Sequence, residues 1–171
     1  MQPTRTSAPA RGTLRSDGPE ATRAIGRALG RVAGPGTVIG LIGPLGAGKT
    51  QLAKGLADGL AVTSVVNSPT FILMNEHAGR LRLYHIDAYR LSDPEEASAA
   101  GLLDERQVDG VTVIEWADRL EGWLPIERLE LELELVPDHA PSERLIRWAA
   151  HGSAHERLAE VALSGEREPG T

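Results

Sequence analysis

Apolar residues along the chain repeat with two different periods. Residues 37–42 (TVIGLI) and 111–115 (VTVIE) are short, nearly continuous apolar runs of the kind buried in a parallel sheet. Residues 129–135 (LELELEL) instead alternate strictly, which predicts a strand buried on one face only, with residues 144–150 (RLIRWAA) pairing to it across the turn PDHAPS. Two further strands are expected at 71–74 (FILM) and 81–86, joined by a turn at 77–80.

Helical spacing marks Ile25, Leu29 and Val32, in a segment that Gly34-Pro35-Gly36 stops and that Asp17 with Glu20 would open as a capping box. It recurs at Leu52, Leu56 and Leu60, and in a shorter stretch around Leu158. Asp93-Pro94-Glu95-Glu96 supplies an N-cap, a proline at the first helical position and a glutamate at the third, and predicts a helix to about Leu103. Residues 1–12 are polar and rich in Pro, Thr and Arg, and are expected to be a disordered tail; 164–171 form a second polar tail. What lies between, 13–163, reads as one α/β domain: a three-layer arrangement with helices on both faces of a mostly parallel core and antiparallel strands at the edge.

Composition narrows the classes of partner. A chain of 171 residues with a formal net charge of -6 has the wrong sign to grip nucleic acid across a wide face, so any nucleic acid is expected to be held by another protein. There is no cysteine, hence no disulfide frame and no thiolate metal site. No run approaches membrane-spanning length, the N-terminus lacks the apolar core of a signal peptide, and a cytoplasmic location is the expectation. Of 18 basic residues only Lys49 and Lys54 are lysine, which draws attention to where they stand.

Lys49 stands in GPLGAGKT, residues 43–50, which fits the phosphate-loop pattern G-x-x-x-x-G-K-[ST] and lies, as that motif requires, between an apolar strand and an amphipathic helix. Glycines let backbone N–H groups turn inward around phosphate oxygens. The helix N-terminus adds its positive end, Lys49 reaches the outer phosphates and the Thr50 hydroxyl ligates magnesium. The fold is therefore expected to be of the P-loop nucleoside triphosphatase type. Such a site also needs a carboxylate beyond the phosphates, and two strand ends offer one: Asp87 and Glu115. Around Asp87, period-two alternation would set His85, Asp87 and Tyr89 on one face, with Asp87 toward the magnesium and γ-phosphate region and its two neighbours fixing its orientation.

Four blocks in this order, GxLGAGKT at 43–50, SPTF at 68–71, HxDxYR at 85–90 and EW at 115–116, resemble the TsaE (YjeE) family of ATPases needed for threonylcarbamoyladenosine on tRNA. The resemblance covers about Asp17 to Trp148. It implies that Leu45, Gly46, Ala47, Gly48, Lys49 and Thr50 wrap the phosphates of ATP, that Thr50 and Glu115 bind Mg2+, and that Lys49, Asp87 and Glu115 serve catalysis. It further implies that Trp116, Asp118 and Arg144 contact the nucleotide, that Asp17 approaches the base, and that 68–71 senses nucleotide state with Thr70 as its polar member. The implied partners are TsaD and TsaB, with tRNA reached only through them. Pro44 departs from the pattern, standing where many relatives carry aspartate.

Two other functions use the same loop. A small-molecule kinase would carry an arginine-bearing lid, whereas the arginines here are scattered and the segment after Glu115 turns to β-type sequence. A non-catalytic ATP-binding switch would employ the same residues. A GTPase is disfavoured because no lysine follows an asparagine, and a transporter ATPase because no L-S-G-G-Q block occurs.

Overall fold

A computed structural model of the chain describes residues 8–68, 74–91, 93, 95, 108–163 and 166–167. Among the described residues, eight strands form one sheet: β1 (Ala10–Ser16), β2 (Val38–Ile42), β3 (Met74–His77), β4 (Leu83–Asp87), β5 (Val111–Glu115), β6 (Arg128–Leu135), β7 (Arg144–His151) and β8 (Glu166–Arg167). They lie in the order β3-β4-β5-β2-β6-β7-β1-β8. The middle four, β4, β5, β2 and β6, run parallel, and every pairing outside them is antiparallel. This is the mixed α/β sheet expected, with antiparallel edges on both sides of the parallel core.

Side-chain alternation divides the core. Ile39, Leu41, Val111, Val113, Leu129, Leu131 and Leu133 point to one face, which is covered by α1 (Pro19–Val32), α2 (Lys49–Gly59) and α3 (Ser153–Ala162). On the other face Ile86 and Ile114 pack with Ala117 and Leu120 of a short 3-10 helix, Ala117–Leu120, and with Leu91. The glutamates of LELELEL are not fully buried, whereas Leu129, Leu131 and Leu133 are, as one-sided burial requires.

α1 and α2 meet along a seam of glycines. A Cβ on Gly26 or Gly30 would overlap the Leu52 or Leu56 carbonyl oxygen, and one on Gly55 or Gly59 the Arg23 or Arg27 carbonyl oxygen. The two backbones are in contact with no side chain between them. Arg23 closes one side of the seam, donating to Asp58 at 2.6 and 3.1 Å.

Several boundaries differ from expectation. β1 begins at Ala10, inside the stretch expected to be a disordered tail: residues 10–12 pair with β7, and a Cβ on Gly12 would lie 2.5 Å from the Trp148 ring. Composition misses this strand because neighbouring strands and not its own apolar content hold it. Within the second expected tail, Glu166 and Arg167 pair with Thr13 and Gly12. Asp17 does not cap α1. Pro19 takes the first helical position and makes Gly18 the N-cap, while Ser16 ties the entry by bonding Thr22 at 2.7 Å and donating to the Gly18 carbonyl at 2.9 Å. β3 spans Met74–His77, so it takes in His77, expected as the start of the turn; residues 69–73, and with them most of the strand expected at 71–74, and most of the helix expected from Asp93 lie outside the described residues. Among the described residues, no helix is long and apolar enough to cross a membrane.

Candidate functional site

The carboxyl ends of β2, β4 and β5 open side by side, the position at which parallel α/β sheets receive ligands. β2 runs into the loop 43–48, where Gly43, Gly46 and Gly48 all have positive φ, of 153°, 79° and 107°. A Cβ on Gly43 would press to 2.6 Å from the Leu133 carbonyl oxygen, so both conformation and space demand glycine there. α2 starts at Lys49 with no side-chain cap and no acidic residue in its first turn. Its leading N–H groups and the positive end of its dipole are thus directed at the loop without internal competition, which is the property of an anion site.

A cleft of about 420 Å³ lies here, lined by residues that include Lys49, Thr50, Ser68, Asp87, Glu115 and Trp116. The Lys49 ammonium is buried, donating to the carbonyls of Gly43 at 2.6 Å and Pro44 at 2.8 Å and standing 3.9 Å from the centre of the Trp116 ring. Burial pulls its pKa down, opposed by the negative charges of Glu115, Asp118 and Asp87. Trp116 has φ 60°, unusual for a residue with a side chain; this left-handed turn leads from β5 into the 3-10 helix. Its ring packs against Tyr89 with centres 4.9 Å apart and planes tilted by 45°, and the Arg119 guanidinium lies 5.4 Å from the centre of the Tyr89 ring.

Glu115 is the hub. Its Oε1 accepts from the Thr50 hydroxyl at 2.7 Å, and its Oε2 accepts from the Ser68 hydroxyl at 3.0 Å and lies 2.5 Å from His85 Nε2. Burial would raise the pKa of this carboxyl, but the bonds from His85, Thr50 and Ser68 together outweigh it and hold the group below the usual range. Asp87, beside Glu115 in the parallel register, behaves oppositely. It is half-buried, and burial with the nearby Glu115 charge lifts its pKa against the bond its Oδ1 accepts from the Tyr89 N–H at 2.9 Å. Two neighbouring carboxyls are therefore driven apart in acidity. The Thr50 hydroxyl and the Glu115 carboxylate are hard oxygen donors of the kind that could hold a divalent cation together with phosphate oxygens.

Most residues singled out in the sequence meet at this cleft: Leu45, Gly46, Gly48, Lys49, Thr50, Asp87, Glu115 and Trp116 all line it. Ala47 is wholly buried behind the loop. Asp118 is exposed and lines a neighbouring depression instead. Arg144 does not reach into the cleft; it braces the loop from behind, donating to the carbonyls of Ala47 at 3.0 Å and Gly46 at 3.1 Å. The Asp17 carbonyl accepts from Ser142 at 3.0 Å. His85 bonds Glu115 of the adjacent strand β5 and not Asp87 two residues along its own strand; β4 ends at Asp87, so the alternation expected to carry Tyr89 onto the same face stops before it. Tyr89 does hold Asp87, through its backbone. Within the block 68–71, the resemblance names Thr70 and not Ser68 as the polar member, yet the Ser68 hydroxyl bonds Glu115 and also lies 2.8 Å from that of Thr50.

Residues 16–146 match the family described as "Threonylcarbamoyl adenosine biosynthesis protein TsaE". The tRNA threonylcarbamoyladenosine biosynthesis protein TsaE of Bacillus subtilis is 43% identical over 147 residues, covering 85% of this chain and 90% of that protein. The protein of the same name from Treponema pallidum is 41% identical over 113 residues, 66% of this chain and 84% of its own. A crystal structure of Bacillus subtilis YdiB superposes with a TM-score of 0.75 at 36% identity, covering 91% of this chain and 96% of that one. Sequence and fold together place this chain in the TsaE family of tRNA threonylcarbamoyladenosine biosynthesis proteins.

Proposed function

We propose that the chain is an ATPase that binds ATP with Mg2+ at the loop 43–50 and, by hydrolysing it, drives or resets a TsaB–TsaD transferase complex in the cytoplasm. The observation that carries this reading is the bond of 2.7 Å from the Thr50 hydroxyl to Glu115, which joins the phosphate loop's helix to the carboxylate of the neighbouring strand. Such a pair is what a magnesium-dependent triphosphate site requires.

The loop N–H groups and Lys49 bind the phosphate oxygens, Lys49 exchanging two carbonyl contacts for charged ones. Thr50 and Glu115 would hold magnesium, which when bound offsets negative charge on the β- and γ-phosphates. Asp87 orients the attacking water. Its Oδ1 is engaged by the Tyr89 N–H, and its raised pKa makes it the better proton acceptor of the two carboxyls. Trp116 and Tyr89 form an aromatic wall of the cleft. The acidic surface suits docking on a protein, with tRNA contacted through that partner.

The test is ATP turnover by the chain alone, with TsaB and TsaD, and with small acceptors. Hydrolysis that is weak alone and rises with the two proteins is expected, and Lys49→Ala should lose ATP binding. Transfer of phosphate to a small acceptor would make the protein a kinase. Repeated threonylcarbamoyl transfer sustained by a non-hydrolysable ATP analogue would make it a switch.

A further inference from the structure

The three donors on Glu115 are not equivalent. Thr50 and Ser68 present hydroxyls at the rim of the cleft, partly open to solvent and to ligand. His85 is wholly buried in β4, which lies between β3 and β5 in the sheet, so its contact with Glu115 is closed to exchange with either. An ionised carboxylate only accepts, so Nε2 carries the hydrogen of this contact. The other ring nitrogen, Nδ1, is buried without a hydrogen-bond partner among the described residues, so the polar commitment of the ring goes to Glu115 alone.

We propose that His85 is a positioning residue for the divalent cation: by holding Oε2 it keeps Oε1 of Glu115 turned to the loop when the Thr50 hydroxyl leaves that oxygen to ligate the ion. This rests on the reading of the cleft as a magnesium–nucleotide site. The division of oxygens supports it, since His85 takes Oε2 while Oε1 faces Thr50. Without His85, the carboxylate would keep Ser68 as its remaining anchor once Thr50 turned to the ion, and would be free to rotate about its last bond. His85 makes no hydrogen bond to Asp87, so its loss acts on cation binding and not on orientation of the water.

Two substitutions separate the donor from the bulk of the ring. The side-chain amide of His85→Gln places a donor where Nε2 stands; that of His85→Asn is one bond shorter and falls short of Glu115. Each variant is measured for Mn2+ affinity by electron paramagnetic resonance with ADP present, for ADP affinity in EDTA, and for ATP turnover against Mg2+ concentration. His85→Asn should weaken Mn2+ binding by about 10- to 100-fold, as loss of a ligand's supporting hydrogen bond typically does. His85→Gln should stay within about three-fold of wild type, since its donor is retained. ADP binding in EDTA should be unchanged in both, and saturating Mg2+ should restore most of the turnover of His85→Asn. Wild-type Mn2+ affinity in His85→Asn, or an equal loss in both variants, overturns the proposal. If His85→Asn does not fold, His85→Gln decides: retained Mn2+ affinity supports the proposal, and a loss of about ten-fold or more overturns it. Failure of the wild type to bind ADP at all would instead sink the nucleotide-site reading itself.

Discussion

Gly55 sits in the body of α2 facing α1, and replacing it with alanine sets two physical effects against each other. Alanine is the better helix former by about 1 kcal/mol, so propensity alone predicts that Gly55→Ala stabilises the protein. Packing predicts the reverse. The new Cβ would overlap the Arg23 carbonyl oxygen and lie 3.0 Å from the Arg23 Cα, backbone atoms that cannot rotate aside. Relief requires the helices to part, which would loosen the whole seam at Gly26, Gly30 and Gly59. Overpacking at the upper end of its usual range, about 3 kcal/mol, less the propensity gain leaves a net loss of about 2 kcal/mol. For a domain of this size that lowers Tm by about 4–8 °C. Gly34→Ala is the control, because a Cβ there meets nothing within 4 Å; its effect should stay within about 0.5 kcal/mol. Thermal melts by circular dichroism at matched concentration read both. Since α2 begins at Lys49, nucleotide affinity of Gly55→Ala should fall in parallel. An unchanged or raised Tm for Gly55→Ala would refute the backbone-to-backbone seam.

Asp87→Asn should retain nucleotide binding and lose about 10²- to 10⁴-fold in turnover. Because folding raises the Asp87 pKa, its ionised form costs stability above the unfolded pKa, so the same variant should melt higher than wild type at neutral pH and the gain should vanish in acid. Glu115 carries the opposite sign: its folded pKa is lowered, so its contribution is present above the unfolded value and is lost as pH falls through the folded one. Glu115→Gln should accordingly lower the pH dependence of stability in acid titrations, and an unaltered acid limb would contradict the hub geometry. Arg144→Leu removes two charged hydrogen bonds to the loop, together about 1–2 kcal/mol at this partial exposure. If these pre-organise the loop, nucleotide affinity falls about 5- to 30-fold by calorimetry; a catalytic loss without an affinity loss would point instead to a contact made only in the transition state.

Local chemistry made much of this protein legible from its sequence. The loop 43–50 is recognisable because glycine, lysine and threonine are each required by a separate physical demand. The runs before Gly43 and before Glu115, and the alternation from Leu129, announce strands because burial on two faces and on one leaves different patterns. The glycine seam was also written in the chain, as glycines spaced four apart in both helices, but nothing local distinguishes a seam from a weak helix. What tertiary structure decided was adjacency. β1 owes its existence to β7 and β8, so its composition is silent. Arg144 braces the loop because β7 brings it there, and His85 meets Glu115 because β4 lies beside β5. Strand order across a sheet is set by the packing of the whole chain. No spacing along the sequence encodes it, and so His85 and Ser68 as partners of Glu115 emerged only from the fold.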